Sequence, residues 1–366
     1  MKPNLAVFTS ELGASFVERH VRDLRPGATV AVARYSRHPL GMPIDPPCPT
    51  LFLDRWSQTR TARIRRRLAG SWEELTVQTV ASFLRRHKVG HVLAQYLDEF
   101  LEFVPLMDKL GIPYVVQGHG IDVSTALRAP GAPQAYLAYR SARAILTRSE
   151  FHRQRLIGIG LPAEKIHVNP GGVDIPPAIP QRASNAGLRL LAIGLMVPQK
   201  APILLLEAFR RARLREPELH LDYVSAGPQF DAVRQFVHAA DLQGHVTLHG
   251  FASEETKLRL LRECGVFVQH RVTAEAGDEE GLPAAIQEAM AYGLAVVSTR
   301  HSGIMEAVKE NVSGLLVDER DVEGMATAIL QATRNFASFG AAGYAKASAE
   351  YSWAHEKSRL LKWLEL

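Results

Sequence analysis

The chain has 366 residues, of which 46% are hydrophobic and 22% are charged, an ordinary globular composition. At about 150 residues per domain, this length predicts roughly two domains and argues against disordered, collagen-like and coiled-coil proteins. The two cysteines, Cys48 and Cys264, lie far apart, which argues against a disulfide scaffold and a cysteine zinc site. The apolar run after Asn4 is too short for a signal peptide, and no run of about 18 apolar residues occurs. We therefore expect a reducing, cytoplasmic location.

The net charge of +5 is unevenly distributed along the chain. Residues 1–180 hold 23 Lys and Arg against 15 Asp and Glu, a balance of +8, and the remainder holds 20 against 23, a balance of −3. The densest basic stretch predicts a helix with a cationic face, carrying Arg55, Arg60, Arg63, Arg65, Arg66 and Arg67 among Trp56, Ile64 and Leu68. Such a face is either simply solvated or attracted to anionic phospholipid or a phosphate-bearing acceptor. We expect no nucleic-acid partner, because no nucleic-acid-binding motif accompanies the charge.

In the first half of the chain, short apolar runs alternate with amphipathic stretches, which is typical of βαβ units in parallel sheets. After a first strand at residues 5–8, a turn at Gly13 precedes a helix from about 15 to 24. Further strands are predicted at residues 30–33, 91–94, 113–116 and 144–147. Prolines and glycines concentrate in residues 170–185, which predicts a linker there.

The same pattern restarts after the linker, with a helix at residues 202–214. Strands are predicted at residues 188–193, 219–225, 246–248, 266–268, 295–297 and 315–317. The predicted fold class is therefore α/β, with two doubly wound, Rossmann-like parallel-sheet domains in series. In such sheets ligands bind beyond the carboxyl ends of the strands, so we expect the active site in a cleft between the domains.

The strongest chemical pattern is Glu280-Gly281-Leu282-Pro283, followed by an alanine-rich stretch that contains Glu288. Pro283 suits the first turn of a helix, and the N–H groups of Gly281 and Leu282 are then expected at its positive end, where a diphosphate is favoured. If both glutamates were helical, about 12 Å would separate their backbones, enough to reach two parts of one elongated ligand. The spacing alone is equally consistent with an ordinary capped surface helix.

Two further patterns follow predicted strands directly. Gly194 ends a strand, and Lys200 precedes a helix, a combination that suits a phosphate, although a loop lysine is usually just solvated. In the second pattern, His119 stands between two glycines at a strand end and Asp122 follows it. A lone histidine is more often structural than catalytic, but this position favours chemistry. Asp122 is expected to cap or orient the loop.

The stretch from Glu280 to Glu288 resembles the E-x7-E motif of retaining glycosyltransferases with the GT-B fold, specifically the large family 4 group. The resemblance covers most of the chain and implies that Glu280 contacts the donor sugar and Glu288 the ribose hydroxyls. It places the backbone of Gly281, Leu282 and Pro283 at the diphosphate and sugar. The surrounding sequence, Ala-Gly-Asp-Glu-Glu-Gly, is similar to the branch that builds bacterial exopolysaccharide and colanic-acid-type repeat units.

The other two patterns also resemble elements of this family. The segment from Gly194 to Ala201 is similar to G-R-L-x-x-x-K-G, whose Arg and Lys clamp the donor diphosphate. Leu195 replaces that arginine, so the resemblance leaves room for another cation, such as Arg271 or Arg300. Ala201 replaces the glycine that follows the lysine.

The segment containing His119 and Asp122 resembles the family's H-G-x-D element, which lies by the donor sugar. The resemblance implies a catalytic role for His119 and a contact of Asp122 with substrate. Gly13 occupies the place of a glycine-rich loop that approaches the diphosphate and the acceptor, although only one glycine remains. A Pro-Ser pair common in the family is replaced here by His270 and Arg271.

The resemblance implies three segments. Residues 1–175 form an N-terminal Rossmann-like acceptor domain, and residues 346–366 contain a C-terminal helix that crosses back to join it. Residues 176–345 form a C-terminal Rossmann-like domain that binds the nucleotide sugar. We expect closure of the two domains to assemble the site and exclude water.

The function that we infer is a hexosyltransferase whose donor is a nucleotide-diphosphate sugar, with UDP or GDP favoured. No Asp-x-Asp tripeptide occurs, so we expect neither a metal nor any other cofactor. The expected acceptor is a saccharide or a polyprenyl-diphosphate-linked saccharide, with peripheral contact at the inner face of the plasma membrane. One alternative is another GT-B enzyme, such as a nucleotide-sugar epimerase or a phosphorylase. The other is a non-catalytic scaffold that binds sugar nucleotides.

Overall fold

The computed structural model of the chain describes residues 4–10, 12–37, 44–59, 71–273, 277, 279 and 281–366. The chain divides into two compact units. The N-terminal unit comprises Met1–Arg148, His152–Asn169 and Lys357–Leu366. The C-terminal unit comprises Ser149–Phe151 and Pro170–Glu356.

The N-terminal unit is built on a parallel sheet with the strand order β3-β2-β1-β4-β5-β6-β7. Its strands are β1 (Asn4–Thr9), β2 (Thr29–Ala33), β3 (Thr50–Phe52), β4 (Val89–Gln95), β5 (Tyr114–Gln117), β6 (Ala144–Thr147) and β7 (Ile166–Val168). The α-helices of this part of the chain are α1 (Ser15–Asp23), α2 (Leu53–Ser57), α3 (Trp72–Arg86), α4 (Leu97–Phe100), α5 (Val104–Leu110), α6 (Ala132–Tyr136) and α7 (Glu150–Gly158).

The C-terminal unit has a second parallel sheet, with the order β10-β9-β8-β11-β12-β13. Its strands are β8 (Arg189–Ile193), β9 (His220–Val224), β10 (Val246–Gly250), β11 (Val266–Val268), β12 (Ala295–Thr299) and β13 (Gly314–Val317). The helices are α8 (Pro202–Arg215), α9 (Phe230–Ala239), α10 (Glu254–Glu263), α11 (Ala284–Ala291), α12 (Ile304–Ala307) and α13 (Val322–Glu350). The last helix, α14 (Trp353–Leu364), begins in this unit, and its residues from Lys357 onward belong to the N-terminal unit.

The central strands are continuous apolar runs because both faces of each sheet are covered by helices. Every residue of β2 and of β12 is buried, and in β1 only the first residue, Asn4, is partly exposed. In the C-terminal unit the two faces belong to separate hydrophobic clusters: Val266 and Val268 of β11 contribute to one, and Phe267 to the other. This alternation confirms the predicted doubly wound α/β class.

Two short edge strands were not predicted from the sequence. β3 and β7 have three residues each, and a polar residue, Thr50 or His167, interrupts the apolar run that marks a central strand such as β11. Each lies at an edge of the N-terminal sheet. The prediction of one basic helix beginning at Arg55 is wrong at its start. Helix α2 ends at Ser57, where the N–H of Gln58 turns back to the carbonyl of Arg55 at 3.2 Å. The other arginines of that prediction, residues 60–67, lie outside the described residues, as do Ile64 and Leu68.

Helix α13, with 29 residues, packs along the C-terminal sheet and approaches the turn that follows α11. At Gly340 this approach is so close that an added Cβ would stand 2.0 Å from the carbonyl oxygen of Gly293. Gly343 lies one turn further along α13, over Met290 of α11. Within the described residues, no helix is both long and apolar enough to cross a bilayer.

Candidate active site

The loop that follows β5 in the N-terminal unit is held by Asp122. This carboxylate is fully buried and accepts backbone N–H groups from Leu97, His119 and Gly120, each at 2.9 Å. Burial raises its pKa, while the hydrogen bonds from the backbone act to lower it. Gly118 permits the tight path, because a Cβ there would stand 2.6 Å from Val123. Of the two expectations for Asp122, orienting the loop describes this geometry, and contact with substrate stays a prediction.

The ring of His119 lies where the ends of three neighbouring strands converge. Its Nε2 is 2.8 Å from Oε1 of Gln95, the last residue of β4, and its Nδ1 faces Arg148, which follows β6. Phe16 of α1 and Tyr96 cover the ring, with centroids at 4.8 and 4.5 Å. The ring is therefore fixed on both nitrogens and on its sides.

The partners of His119 define its protonation state. A guanidinium can only donate, so Nδ1 accepts from Arg148 and Nε2–H donates to Gln95. The hydrogen-bond network extends from the amide nitrogen of Gln95 to Nδ1 of His20, at 3.3 Å. Burial, the Arg148 guanidinium and His20 hold the pKa of His119 well below its usual value. These surroundings therefore favour the neutral form of the His119 ring.

A small, partly open pocket adjoins this cluster at the carboxyl ends of β1, β2 and β4. Its polar lining includes Thr9, Arg34, Gln95 and Glu99, and the guanidinium of Arg34 donates to Glu99 at 2.6 Å. Gln95 thus contacts both the pocket and His119. Gly13 lies in the segment between β1 and α1, the helix that carries Phe16 and His20.

In the C-terminal unit, Gly194 and Lys200 come together at the end of β8. A Cβ built on Gly194 would stand 3.2 Å from Nζ of Lys200 and 3.3 Å from Nε2 of Gln269, which follows β11. The side chain of Lys200 therefore lies directly over the Gly194 backbone. Gln269 donates to the carbonyl oxygen of Ile193 at 3.3 Å, which ties the ends of the two strands. A cation is thus held at the carboxyl edge of this sheet, as the sequence predicted.

The two departures from the family pattern have distinct structural effects. Leu195 is 49% exposed, so it supplies an apolar surface where the family has a guanidinium. Ala201 has φ of 38° and ψ of 53°, a left-handed conformation that favours glycine. The fold therefore retains the backbone geometry of the missing glycine at Ala201.

The two arginines named as replacement cations differ in their surroundings. Arg271 is 2% exposed; its backbone N–H donates to Oγ1 of Thr299 at 3.1 Å, and its charge acts on buried Tyr223. Arg300 is engaged by Glu310 at 2.6 Å and by Asp318 at 3.1 Å. The charge of Arg300 is therefore balanced by carboxylates, whereas Arg271 is buried directly after β11.

The motif segment, residues 280–283, immediately precedes α11 in the sequence. The helix begins at Ala284, so Pro283 is its N-cap and not part of its first turn, with ψ of 126°. Gly281 and Leu282 precede it and are buried. Glu280 lies outside the described residues. The predicted distance between Glu280 and Glu288 required one continuous helix, which is wrong because Gly281, Leu282 and Pro283 precede the start of α11.

Glu288 on α11 forms an ion pair that the sequence did not indicate. Its Oε1 lies 3.0 Å from Nζ of Lys257 on α10, and Lys257 also reaches Glu254 at 3.1 Å. Lys257, Gln95 and Arg148 are thus the functional candidates that sequence reasoning missed. For Gln95 and Arg148 a signal was available, since both stand at the carboxyl ends of strands, where ligands bind in such sheets. Lys257 carries no comparable signal.

Within the described residues, no group of three or more His, Cys, Asp or Glu side chains is arranged to hold a metal ion.

Two family models match the chain. The model described as "Glycosyltransferase Family 4" matches residues 17–175, and the model described as "Glycosyl transferases group 1" matches residues 181–338. The chain belongs to the family 4 glycosyltransferases, which have the GT-B fold.

Among its relatives, the amylovoran biosynthesis glycosyltransferase AmsK of Erwinia amylovora is 32% identical over 62% of this chain and 58% of that protein. The putative colanic acid biosynthesis glycosyltransferase WcaL of Escherichia coli is 32% identical over 57% of this chain and 52% of that protein. The matches thus span little more than half the length of these relatives. The crystal structure of Anabaena Alr3699/HepE in complex with UDP-glucose has a TM-score of 0.74 at 18% identity, over 99% of each chain. This last similarity supports the fold.

Proposed function

We propose that the protein is a retaining glycosyltransferase that moves a hexose from a UDP- or GDP-sugar to a hydroxyl group of a saccharide in bacterial surface polysaccharide biosynthesis. The observation that carries the proposal is the pairing of Lys200 with Gly194 at the carboxyl edge of the C-terminal sheet. A glycine backbone beneath a lysine ammonium suits a diphosphate. The descriptions of the relatives support the polysaccharide class, and the UDP-glucose bound to the Anabaena protein supports the donor class.

The C-terminal unit is the proposed donor site. Lys200 and Arg271 supply positive charge to the diphosphate, together with the backbone of Gly281, Leu282 and Pro283. Glu288 accepts hydrogen bonds from the ribose hydroxyls. Lys257 holds the Glu288 carboxylate in place, with its Nζ 3.0 Å from Oε1. Glu280 contacts the donor sugar. The charge on the leaving nucleotide is neutralised by these groups, and no metal is required.

For the chemical step we propose a front-face path. The bond from the anomeric carbon to the β-phosphate oxygen breaks as the bond to the acceptor oxygen forms on the same face, which retains the configuration. The proton of the acceptor hydroxyl passes to the leaving β-phosphate. Glu280 and His119 position the reacting groups and stabilise charge. Because both ring nitrogens of His119 are engaged, a role without proton transfer fits its surroundings.

The proposed acceptor is a saccharide linked to polyprenyl diphosphate, bound by the N-terminal unit. The balance of +8 over residues 1–180 supports attraction to an anionic membrane surface. Vesicles containing anionic lipid should bind the protein at low salt and release it as salt is raised. Neutralising Arg63, Arg65, Arg66 and Arg67 together should abolish this binding. Binding that persists in that variant would remove the membrane part of the proposal.

The experiment that tests donor binding is a calorimetric and thermal-shift panel of UDP-, GDP-, ADP- and dTDP-sugars with a chelator present. At a ligand concentration about 100 times Kd, binding to the native state adds about 2.7 kcal/mol of stability. We expect stabilisation by one nucleotide class, lost in Lys200→Ala and in Glu288→Ala. Lys309→Ala, at an exposed site in the same unit, is the matched control and should behave as wild type. If none of these donors stabilises the wild-type protein, the proposed function is wrong.

Turnover tests the chemical step. With the donor identified, Glu280→Gln should lower kcat far more than it weakens nucleotide binding, and an unchanged rate would remove Glu280 from the mechanism. The anomeric configuration of the product, read by proton NMR, tests retention directly. Hydrolysis or epimerisation without acceptor would indicate a different GT-B reaction. Tight binding without turnover on any acceptor would indicate a scaffold.

A further inference from the structure

At the carboxyl edge of the C-terminal sheet, the buried polar atoms that have no hydrogen-bond partner among the described residues include three on a glutamine and two histidines. They are Oε1 of Gln269 and Nδ1 of His270, which follow β11, and Nε2 of His301, which follows β12. The three residues are 4%, 0% and 3% exposed. Most buried polar groups in proteins are hydrogen-bonded, so such a group at a ligand-binding edge indicates a place for a ligand's polar atom.

His301 is the best defined of the three because its other nitrogen is fixed. Nδ1 lies 2.6 Å from Oε1 of Glu319, in the loop that follows β13. The same carboxylate accepts the backbone N–H and the hydroxyl of Thr273, at 2.8 and 3.1 Å. Although burial acts to raise it, the hydrogen bonds from His301 and Thr273 hold the pKa of Glu319 below its usual value. Glu319 is therefore an anion that can only accept, and Nδ1 of His301 carries a proton.

With the Nδ1 proton donated to Glu319, the single-proton tautomer of His301 presents a lone pair at Nε2. This acceptor suits a hydroxyl group, which can donate. It does not suit a phosphate oxygen, which offers lone pairs of its own and would be repelled by the nearby Glu319. The unpartnered Nε2 thus requires a ligand that carries O–H groups, and the sugar and ribose of a nucleotide sugar are rich in them.

The position of His301 places it beside the motif segment. Ser302, the next residue, has its hydroxyl 3.4 Å from the carbonyl oxygen of Gly281. A Cβ on Gly303 would stand 2.1 Å from that same oxygen, so the two backbones are in direct contact. His301 is therefore only two positions along the chain from Gly303, which contacts the segment assigned to the diphosphate and sugar of the donor.

We propose that Nε2 of His301 accepts a hydroxyl group of the bound nucleotide sugar, and that Glu319 is the positioning residue that directs this acceptor. The inference rests on the proposed function, since it names a binding contact of the same donor site. The hydroxyl belongs either to the transferred sugar or to the ribose, and the two sources are separable by experiment.

The test is calorimetric titration of wild-type protein and variants with UDP, UDP-glucose, GDP and GDP-mannose. His301→Leu, which removes the acceptor, should weaken nucleotide-sugar binding at least tenfold. His301→Gln, which returns an amide oxygen near the Nε2 position, should recover most of the affinity. His249→Leu is the matched control: His249 pairs with Asp222 at 2.8 Å in the same unit, at 17% exposure of its side chain, and its loss should leave affinity unchanged.

The outcomes separate cleanly. A loss seen with the nucleotide sugar but not with the nucleoside diphosphate places the hydroxyl on the sugar, and an equal loss with both places it on the ribose. If His301→Leu binds every ligand that the wild type binds, and with unchanged affinity, the inference is overturned while the proposed function stands. A wild-type protein that binds none of the four overturns the proposed function and the inference together.

A second measurement does not depend on variants that fold. Long-range proton–nitrogen NMR spectra of the wild-type protein should show Nδ1 of His301 protonated and Nε2 unprotonated, with the Nε2 resonance shifting when ligand is added. A protonated Nε2 in the free protein, or a resonance unmoved by a ligand that binds, would contradict the proposal.

Discussion

Arg148 places two guanidinium nitrogens, Nε and Nη2, at 3.3 and 3.2 Å from Nδ1 of His119. The two residues are 29 positions apart and are brought together by the neighbouring strands β5 and β6. The arginine thus serves as a fixed donor and as a positive charge beside the ring. Both effects favour the neutral imidazole.

Replacing Arg148 should make His119 easier to protonate. In Arg148→Gln the charge that lowers the pKa of His119 is lost while burial remains, so the titration of the ring should move upward. The expected result is a higher NMR titration midpoint for the His119 ring and a new loss of activity on the acid side of the pH profile. Arg85→Gln, at an exposed position on α3, is the control. An unmoved midpoint in Arg148→Gln would contradict the prediction.

Gly194 should not tolerate even a methyl group without loss of nucleotide binding. The added Cβ would stand 3.0 Å from Cδ and 3.2 Å from Nζ of Lys200, so the lysine must move. We expect Gly194→Ala to raise the Kd for UDP or GDP about tenfold, equivalent to about 1.4 kcal/mol. Gly244→Ala is the matched control, because nothing lies within 4 Å of a Cβ there. Equal affinities for the two variants would show that Lys200 is not needed in its present position.

Ala201→Gly should stabilise the protein. Ala201 has φ of 38°, a conformation that costs a residue with a Cβ about 1–2 kcal/mol, while glycine loses about 0.5–1 kcal/mol more backbone entropy on folding. The expected net gain is up to about 1 kcal/mol in the free energy of unfolding, measured by urea denaturation. Ala163→Gly, at an exposed site without positive φ, should instead destabilise. A loss of stability in Ala201→Gly would rule out strain at this turn.

The stability of the C-terminal unit should fall as the pH drops below about 6.5, in part because of His270. Its side chain is fully buried, and its Nε2 accepts the backbone N–H of Arg320 at 3.0 Å. Burial lowers the pKa of His270 to about 4, against the charges of Glu319 and Asp321, while Arg320 lowers it further.

Since the unfolded chain binds this proton near pH 6.5 and the native state near pH 4, stability is lost between these values, by at most about 3 kcal/mol. His270→Gln keeps an acceptor for Arg320 but does not titrate. Its free energy of unfolding, measured from pH 7.5 to 4, should therefore fall less steeply than that of the wild type. Parallel curves would show that His270 does not titrate in this range.

The sequence predicted the architecture because buried parallel strands are apolar runs that can be read without knowledge of their neighbours. The two edge strands β3 and β7 were not predicted because each is short and contains a polar residue, whereas the equally short central strand β11 is entirely apolar. Gly194 and Lys200 were predicted together because a single strand-to-helix turn joins them. The ion pair between Glu288 and Lys257 was not, since its members are 31 residues apart on different helices.

The same distinction separates the polar partners within the site. That Asp122 orients its own loop is local and could be anticipated, whereas the contact of His119 with Gln95, 24 residues away, depends on how the strands pair. The His301–Glu319 pair joins the ends of β12 and β13, and no motif marks it. Contacts within one loop can be predicted from a sequence, but contacts between different strands can be predicted only when the pairing register of those strands is known.

Because Gly340 packs closely against Gly293, a residue far from any motif influences the position of α11 and therefore the proposed donor site. A side chain larger than hydrogen at position 340 must push α13 away from the turn that ends α11, the helix that carries Glu288. If the chain acts in surface polysaccharide biosynthesis, as proposed, a genetic screen for strains that lack the polysaccharide should recover substitutions at position 340 alongside those at Lys200 and Glu288. Among related sequences, position 340 should vary as little as the stretch from Glu280 to Glu288, although its side chain would contact neither the proposed donor nor the proposed acceptor.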